Sequence, residues 1–369
     1  MSTVKYPNEI YQELDAYIVG QQDCKEHLSI LGYLFSVKAQ MMSIANLPPE
    51  NFPRLNCMLI GPTGSGKTEI LYRLSKCLGV PYRRIDCTSL TPQGYKGINL
   101  DEAIEGFMYE LKTFKTPGIL LLDEFDKLGG GASGSSIEEF RVQTQTNLLD
   151  LLDGRYCTDP KATPAELEFL NGSLIVLSGA INHLFDPERE KETLSPGFLS
   201  SPIKNDVDLE KWRELLVDEG IMPEIVGRTI SICKTNRLNS EELLNLIYSK
   251  KNSIMGRYYS MLPDIEFSFE EMKALADEIH DSRFGVRDLE GKFFTLVQRK
   301  ILAEVDLNYV PPAIEELTNP LLLSDTRYEK DLTFTEYLEQ LDEEDDYADL
   351  DLDIDELDEL FETGDTDDK

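Results

Sequence analysis

Residues 61 to 69 carry the pattern that points most directly to chemistry. They read Gly-Pro-Thr-Gly-Ser-Gly-Lys-Thr-Glu, and the first eight fit G-x-x-x-x-G-K-[ST]. Glycines at these positions let several backbone N–H groups face one anion at the positive end of the following helix. Lys67 adds a charge for the β- and γ-phosphates, and the hydroxyl of Thr68 suits Mg²⁺. An ordinary glycine-rich turn would not need so many specified features.

The predicted site for a nucleoside triphosphate therefore comprises Gly61, Pro62, Thr63, Gly64, Ser65, Gly66, Lys67, Thr68 and Glu69. Two carboxylates at the end of a second apolar run complete it. Residues 118–124 read Gly-Ile-Leu-Leu-Leu-Asp-Glu, as expected for a strand buried on both faces. Such a strand places Asp123 near the phosphates, where it holds Mg²⁺ through water. Glu124 is predicted to polarise the attacking water, provided that it lies within hydrogen-bond reach.

An acidic loop at a strand end is the alternative interpretation of these two carboxylates taken alone. These carboxylates come after the phosphate-binding loop of residues 61–68 (the P-loop) and are followed by Phe125 and Asp126. This order favours the catalytic interpretation. Two adjacent acids, rather than a lone aspartate, favour hydrolysis over phosphoryl transfer to a metabolite. The sequence therefore predicts an enzyme that hydrolyses its nucleotide.

Alternating strands and helices are predicted to position both motifs. The predicted strands are 58–60, 80–86, 118–124 and 174–178, and the predicted helices include 8–45 with an interruption at Gly20, 100–114 and 140–152. This order predicts an α/β fold with a parallel sheet flanked by helices. From Asn239 onwards only helices are predicted, at 269–280 and 286–305 among others. Asn239 and Ser240, followed by Glu241 and Glu242, are typical of the capped start of the first of them.

Four segments are therefore predicted. Residues 1–237 form a large α/β nucleotide-binding domain and residues 238–310 a small all-helical domain. Residues 311–340 are a connector of uncertain structure. Residues 341–369 are an acidic tail that is predicted to be disordered, because self-repulsion opposes its folding.

Charge and hydropathy narrow the classes of function. The formal net charge is −33, and the tail holds sixteen acids and one lysine, so it contributes −15 and the rest −18 (−33 less −15). This acidity disfavours binding to a nucleic-acid backbone. No apolar run reaches the ~18 residues needed to span a bilayer, and the N-terminus lacks an apolar signal core. Six cysteines without a C-x-x-C pair fit a reducing compartment. We therefore expect a cytoplasmic protein with neither nucleic acid nor membrane as a partner.

Several short motifs occur in the same order as in the AAA+ unfoldases. They are Tyr17-Ile-Val-Gly-Gln-Gln, the P-loop, Gly94-Tyr-Lys-Gly, Leu122-Asp-Glu-Phe-Asp-Lys-Leu, Gly220-Ile-Met-Pro-Glu-Ile-Val-Gly-Arg and Phe284-Gly-Val-Arg-Asp-Leu. Over roughly residues 8 to 308 the chain resembles the ClpX group of that family. The resemblance implies a P-loop AAA+ domain followed by a small helical domain, with ATP and Mg²⁺ as cofactors. It also implies a homo-oligomeric ring, a hexamer, that threads protein substrates through a central pore.

The resemblance assigns roles to four further residues of the nucleotide site. Ile18 and Val19 resemble the apolar clamp around adenine. Arg228 resembles the arginine finger that reaches the γ-phosphate of a neighbouring subunit, where a guanidinium neutralises developing charge. Arg287 resembles the sensor-2 arginine, which links nucleotide state to the hinge between the domains. For each arginine a surface salt bridge is the alternative.

Two other positions are expected to sense nucleotide or grip substrate. The sensor-1 position is either Ser178 or Asn182, and the sequence does not decide between them. Tyr95, in Gly94-Tyr-Lys-Gly, resembles the pore-loop aromatic ring that grips an unfolded chain. Lys96 stands where a small apolar residue is usual, so it favours acidic stretches of substrate or a contact with a neighbouring subunit. An ordinary tight turn is the alternative.

The chain also departs from the ClpX pattern. The nucleotide-domain pattern begins within the first twenty residues, so we expect no N-terminal zinc-binding module, and residues 156–172 lack the basic loop that recognises degradation tags. Gly197 and Phe198 match the tip that docks a ClpP-type peptidase. Pro196 replaces the aliphatic residue expected before them. A proline–glycine turn with one packed phenylalanine is the alternative to docking.

Other interpretations also stay open. The tail either solubilises the protein, docks on a partner or covers the pore. The whole chain is either a peptidase-linked unfoldase or a stand-alone remodeller that disassembles complexes. A nucleic-acid motor or clamp loader is disfavoured by the net charge. A metabolite kinase is disfavoured by Arg228, Arg287 and the all-helical second domain.

Overall fold

A computed structural model describes residues 4–91, 98–129, 136–156, 164–180, 209–248, 253–261, 266–280, 282 and 284–304. Residues Met1–Glu304 form one compact unit, and Val305–Lys369, the second, lies outside the described residues. The predicted domain boundary near residue 237 stays a prediction. Several predicted positions also lie outside the described residues, namely Tyr95, Lys96, Asn182, Gly197, Phe198, the connector beyond residue 310 and the tail.

Five parallel strands form the central sheet. They are β1 (Cys57–Ile60), β2 (Tyr82–Asp86), β3 (Ile119–Asp123), β4 (Leu174–Gly179) and β5 (Ser231–Lys234), in the order β2-β3-β4-β1-β5. The predicted α/β fold class with a parallel sheet is therefore confirmed. Strand β5 was not predicted, because Ser231-Ile-Cys-Lys is short and half polar and becomes a strand only by pairing with β1.

Thirteen α-helices are present in the part of the chain that the structure describes. They are α1 (Pro7–Asp15), α2 (Gln22–Ala45), α3 (Lys67–Leu78), α4 (Leu100–Phe114), α5 (Ser136–Asn147), α6 (Leu149–Leu152), α7 (Pro164–Gly172), α8 (Leu209–Asp218), α9 (Pro223–Val226), α10 (Ser240–Tyr248), α11 (Ile254–Met261), α12 (Phe269–His280) and α13 (Arg287–Glu304). Short 3₁₀ turns lie at Pro49–Asn51, Cys87–Ser89 and Phe125–Leu128. Only helices follow β5 in the described residues, as predicted.

Helices cover both faces of the sheet, which explains the continuous apolar strands. On one face, Leu59 and Leu121 pack with α1, α2 and α3. On the other, Met58, Leu120 and Leu122 pack with residues of α4 and α8. Successive residues of a strand point to opposite faces, so a strand covered on both sides must be apolar at every position.

Two local predictions can be compared with the structure. Residues 140–152 were predicted as one helix, but α5 and α6 are separate because Leu148 donates to the carbonyl of Gln145, three residues earlier, at 3.1 Å. Asn239 was predicted to cap the next helix. Its Oδ1 accepts from the Glu242 N–H at 2.8 Å, and its own N–H donates to the Glu242 carboxylate at 2.8 Å. This reciprocal capping fixes the start of α10.

Helix α2 has two apolar faces. Among the described residues it is the one helix long and apolar enough to cross a membrane, although 44% of its most apolar window is buried inside the protein. Its inward face packs in the core through Leu28, Leu31, Phe35, Ala39 and Met42, and its outward face exposes Ile30, Leu34, Met41 and Ile44. Part of the high hydropathy of α2 therefore comes from side chains that pack in the core.

Because one face of α2 is buried and the other exposed, we expect the same substitution to destabilise the protein strongly on one face and hardly at all on the other. Leu31 is 4% exposed and Leu34 is 46% exposed. Leu31→Ala is expected to lower the free energy of unfolding by about 2–5 kcal/mol, because it leaves a cavity in the core. Leu34→Ala, the matched control, is expected to change it by about 0.5 kcal/mol or less. Chemical denaturation of both variants tests this, and equal destabilisation would show that the packing of α2 is wrong.

Candidate nucleotide-binding site

The P-loop runs from β1 into α3 at the carboxyl edge of the sheet. Gly66 caps α3 in the left-handed region, at φ +87°, where a side chain would be strained. A Cβ atom on Gly61 would lie 2.0 Å from the hydroxyl oxygen of Thr235, so only glycine fits there. Ser65 and Thr235 share a hydrogen bond of 2.6 Å between their hydroxyl groups. The loop is thus fixed against the end of β5.

Lys67 is buried and turns back on the loop. Its Nζ donates to the carbonyl oxygens of Gly61 and Pro62, both at 2.8 Å. Burial lowers the pKa of Lys67 to about 8, with Asp123 opposing and Arg287 adding to the shift. A desolvated ammonium group is therefore held against the loop, and an anion at this place would offset its desolvation.

Thr68 and Asp123 bring two oxygens together beside the loop. The Thr68 hydroxyl donates to Asp123 Oδ2 at 3.1 Å. A hydroxyl and a carboxylate suit Mg²⁺, which takes few protein ligands and fills its octahedron with phosphate and water. The described residues contain no group of three His, Cys, Asp or Glu side chains that could hold a metal alone. The pair therefore fits a metal that arrives with its nucleotide.

Glu124 occupies a strained position directly after β3. Its φ is +54°, in the left-handed region, which costs a residue other than glycine about 1–3 kcal/mol. Its N–H donates to Asp123 Oδ1 at 3.0 Å. The sharp turn keeps Glu124 beside Asp123 at the edge of the sheet. The predicted role of Glu124 as a base requires this neighbourhood.

Ser178, one candidate for sensor-1, lies on the strand next to β3. The register pairs Leu122 with Leu177, and one further step brings Ser178 beside Asp123 on the same face of the sheet. Ser178 is fully buried, and its Oγ has no hydrogen-bond partner among the described residues. A buried hydroxyl without a partner normally needs one, so its position fits a polar ligand or water at this edge.

The segment before α13 closes over the P-loop. The carbonyl oxygen of Phe284 lies 2.6 Å from where a Cβ atom on Gly64 would be, and the backbone nitrogen of Arg287 lies 3.6 Å from it. The loop, Leu238, Ile279, Val286 and their neighbours line a small cleft. Arg287 is thus brought to the loop, as its predicted role requires.

Ile18 and Val19 are each 6% exposed and are absent from the described lining of this cleft. Gly20, which follows them, packs against Glu242 and Leu238, because a Cβ atom there would lie within 3.0 Å of both side chains. The structure therefore places the pair beside the segment that borders the cleft. Their contact with adenine stays a prediction.

Arg228 lies at the opposite edge of the sheet. It precedes β5, and Ile230 donates to the carbonyl of Asn56, the residue before β1. The four residues of β1, at about 3.3 Å each, separate this edge from the P-loop by about 13 Å. The Arg228 guanidinium instead contacts Asp153, which raises the pKa of the arginine and lowers that of the aspartate. Arg228 is therefore not brought to the P-loop of its own chain.

Two residues near the loop were missed by sequence reasoning. Gln21 pairs with the backbone of Asn236, donating at 2.7 Å and accepting at 2.8 Å, and its Nε2 also lies 3.4 Å from the Ser65 carbonyl. Asp126 Oδ1 accepts from the Ala180 N–H at 3.0 Å. Both lie inside motifs singled out above, but neither residue type alone predicts which distant backbone it binds.

Arg84 was missed as well. It lies on β2, and its Nε donates to Asp123 Oδ2 at 2.7 Å, the oxygen that also accepts from Thr68. Its side chain is 46% exposed. A cation from the protein therefore already contacts the carboxylate that is predicted to hold Mg²⁺. Two adjacent arginines in a short strand, Arg83 and Arg84, are the sequence signal that could have drawn attention to it.

Comparison with known proteins agrees with this geometry. Residues 57–185 match the family described as "ATPase family associated with various cellular activities (AAA)". This segment begins with β1 and includes the P-loop, Asp123, Glu124 and Ser178. Over this segment the chain is similar to AAA-type ATPases, and the protein hydrolyses ATP.

The chain is also similar to proteins named "ATP-dependent Clp protease ATP-binding subunit ClpX". It is 28% identical to ClpX 2 of Wolinella succinogenes over 332 residues, which cover 85% of this chain and 79% of the relative. It is 28% identical to ClpX of Borrelia duttonii, with 87% and 78% covered, and 25% identical to ClpX of Porphyromonas gingivalis, with 82% of each covered. The predicted resemblance to ClpX is thus confirmed.

The contact between Arg84 and Asp123 predicts a change in metal affinity. Because Arg84 and Mg²⁺ would compete for one carboxylate oxygen, Arg84→Met is expected to raise the apparent affinity for Mg²⁺ by about 1.5- to 5-fold, the effect of losing an exposed ion pair. Titration of Mg²⁺ into the protein with a fluorescent ADP analogue measures this. Arg83→Met is the matched control, since Arg83 pairs with Glu110 at 3.4 Å. Equal shifts in both variants would mean that only the general loss of charge matters.

Proposed function

We propose that this protein is a ring-forming ATPase that couples ATP hydrolysis to the unfolding or remodelling of protein substrates. The observation that carries the proposal is the separation of Arg228 from its own P-loop by the length of β1. An arginine at the amino edge of the sheet is suited to contact the nucleotide bound by a second copy of the chain. A head-to-tail contact of this kind generates a closed ring when the rotation closes.

Within one copy, each group of the site has a distinct part in the reaction. Lys67 and the loop N–H groups bind and orient the triphosphate, while Thr68 and Asp123 hold Mg²⁺, which neutralises charge on the phosphates when bound. Glu124 orients the water that attacks the γ-phosphorus, and ADP and phosphate leave. Ser178 and Arg287 contact the nucleotide from β4 and α13 and report its state to the helical segment.

The second copy supplies the remaining cation. Negative charge spreads over the equatorial oxygens of the transferred phosphoryl group, and a guanidinium from outside the subunit stabilises it there. Lys67 lies on the near side of the triphosphate and Arg228 of the neighbouring copy on the far side. Hydrolysis by this arrangement depends on assembly of the ring. The resemblance of the chain to the ClpX group favours a hexamer.

The output of the ring is movement of a bound protein chain. Tyr95 and Lys96 are proposed to line the pore, with the tyrosine ring contacting many side chains without sequence preference. The relatives are named as subunits of a protease, and a ClpP-type peptidase is accordingly a proposed partner, docked through Gly197 and Phe198. Pro196 at that tip favours the second candidate, a stand-alone remodeller, and a degradation assay separates the two. The proposed location is the cytoplasm.

Substitution of Glu124 gives the direct test of this function. Glu124→Gln keeps the size of the side chain but replaces one acceptor oxygen with an NH₂ donor and removes the base. The variant is expected to bind ATP, hydrolyse it more slowly by about a hundredfold or more and retain the ring with its captured proteins. Affinity purification in ATP, followed by mass spectrometry, identifies what is retained.

Two controls sharpen that measurement. Lys67→Ala is expected to bind neither ATP nor captured proteins. Glu124→Gln combined with Tyr95→Ala is expected to keep nucleotide but release the captured proteins. Rapid turnover by the Glu124→Gln variant would overturn the assignment of the base, and retention of nucleic acid instead of protein would overturn the proposed substrate class.

A further inference from the structure

The contacts of Arg228 single out a residue to which no role has been assigned. Asp153 follows the short helix α6 and receives two hydrogen bonds from the arginine, from Nε to Oδ1 at 2.7 Å and from Nη2 to Oδ2 at 3.0 Å. The third nitrogen, Nη1, donates to the carbonyl of Glu224 at 2.7 Å. All three nitrogens of the guanidinium are thus engaged within the same chain.

Two N–H groups of the Arg228 guanidinium remain available to donate to a ligand. A guanidinium group has five N–H bonds in one plane, of which these contacts use three. The remaining two lie on Nη1 and Nη2, and no contact among the described residues uses them. This pair of nitrogens matches the spacing of two oxygens of a phosphate. The side chain is 30% exposed, so part of it is open to solvent.

The scaffold beneath the pair is rigid. Asn56, which is buried, donates from Nδ2 to the Leu152 carbonyl at 2.8 Å and to the Arg228 carbonyl at 3.1 Å. One side chain at the start of β1 therefore ties together the backbone on both sides of the ion pair. Arg54 adds a contact from Nη2 to the Gly154 carbonyl at 3.2 Å. Both partners are thus anchored to the sheet.

The geometry of this contact bears on orientation as well as on folding. Asp153 is 20% exposed and Arg228 is 30% exposed, and a two-point contact between arginine and carboxylate is the kind of surface ion pair that also contributes to stability. Arg155 also donates to its Oδ2, at 2.6 Å, so the carboxylate is shared by two arginines. What the two-point contact with Arg228 provides is direction, because it fixes the plane of the guanidinium.

We propose that Asp153 is a positioning residue, which holds Arg228 edge-on so that its two remaining N–H groups face the γ-phosphate bound by a neighbouring copy. The inference rests on the proposed action of Arg228 in trans. It adds that the orientation of the guanidinium, and not only its presence, limits hydrolysis. A misplacement of about 1 Å in such a group can cost about a hundredfold in rate.

The test measures ATP hydrolysis by the full-length protein and by mixtures of two variants. Asp153→Ala alone is expected to lower kcat about ten- to a hundredfold with little change in KM, because its own P-loop is intact. Asp150→Ala is the matched control. It removes the same charge three residues earlier, where the side chain is exposed, and is expected to change kcat by less than about twofold. The double variant with Asp153→Ala and Arg228→Ala is expected to have the same kcat as Arg228→Ala alone.

Mixing with Lys67→Ala protein separates a positioning role from a folding defect. The Lys67→Ala copies cannot bind nucleotide but carry an intact pair of Asp153 and Arg228. They are expected to restore hydrolysis at the intact P-loops of Asp153→Ala copies, as they should for Arg228→Ala copies.

Three results would overturn the inference. Asp153→Ala protein with full activity would show that orientation does not matter. Rescue of Arg228→Ala but not of Asp153→Ala would show that the aspartate supports its own subunit, while the proposed action in trans would survive. Failure of both mixtures would remove the proposed action in trans as well.

Discussion

The length of one short strand is the constraint on which the arrangement of this site depends. Strand β1 begins beside Asn56 and ends at the P-loop, so the residues at its two ends are held about 13 Å apart and at opposite edges of the sheet. The P-loop, Asp123, Glu124 and Ser178 lie at the carboxyl ends of strands, where ligands bind in other open parallel sheets. Arg228 precedes a strand and lies at the amino edge instead. The sheet thus places Arg228 and the P-loop at two different surfaces of one molecule.

The two surfaces are built by different physical means. At the carboxyl edge, polar groups are buried or share a partner. Lys67 is desolvated, and the buried Ser178 hydroxyl has no hydrogen-bond partner among the described residues. One carboxylate oxygen of Asp123 accepts hydrogen bonds from both Thr68 and Arg84. In the proposed function these groups gain partners when the nucleotide binds. At the amino edge, the hydrogen bonds of Arg228 and Asp153 are already made within the chain. The orientation of this proposed arginine finger therefore does not depend on contact with a second copy.

The sequence was most informative where contacts are local. The bounds of α4 and α12 and the apolar strand β3 follow from periodicity and composition, and the P-loop follows from the spacing of its glycines. The contacts missed are those between residues distant in sequence. Gln21 and Asn236 are 215 residues apart, Arg84 and Asp123 are 39 apart, and Arg228 and Asp153 are 75 apart. A glutamine or an arginine carries no sequence signal for its partner, because the partner is chosen by how the chain packs.

A dilution series shows whether the active site is shared between copies of the chain. ATP hydrolysis per protomer, nucleotide binding and molecular mass are measured on the same samples across the range of protein concentration in which the assembly dissociates. If the site is shared, the protomer is expected to keep its nucleotide after dissociation, because the P-loop edge is complete within one chain. Hydrolysis per protomer should fall together with the assembled fraction. Constant turnover per protomer in fully dissociated protein would show that each copy has a complete active site.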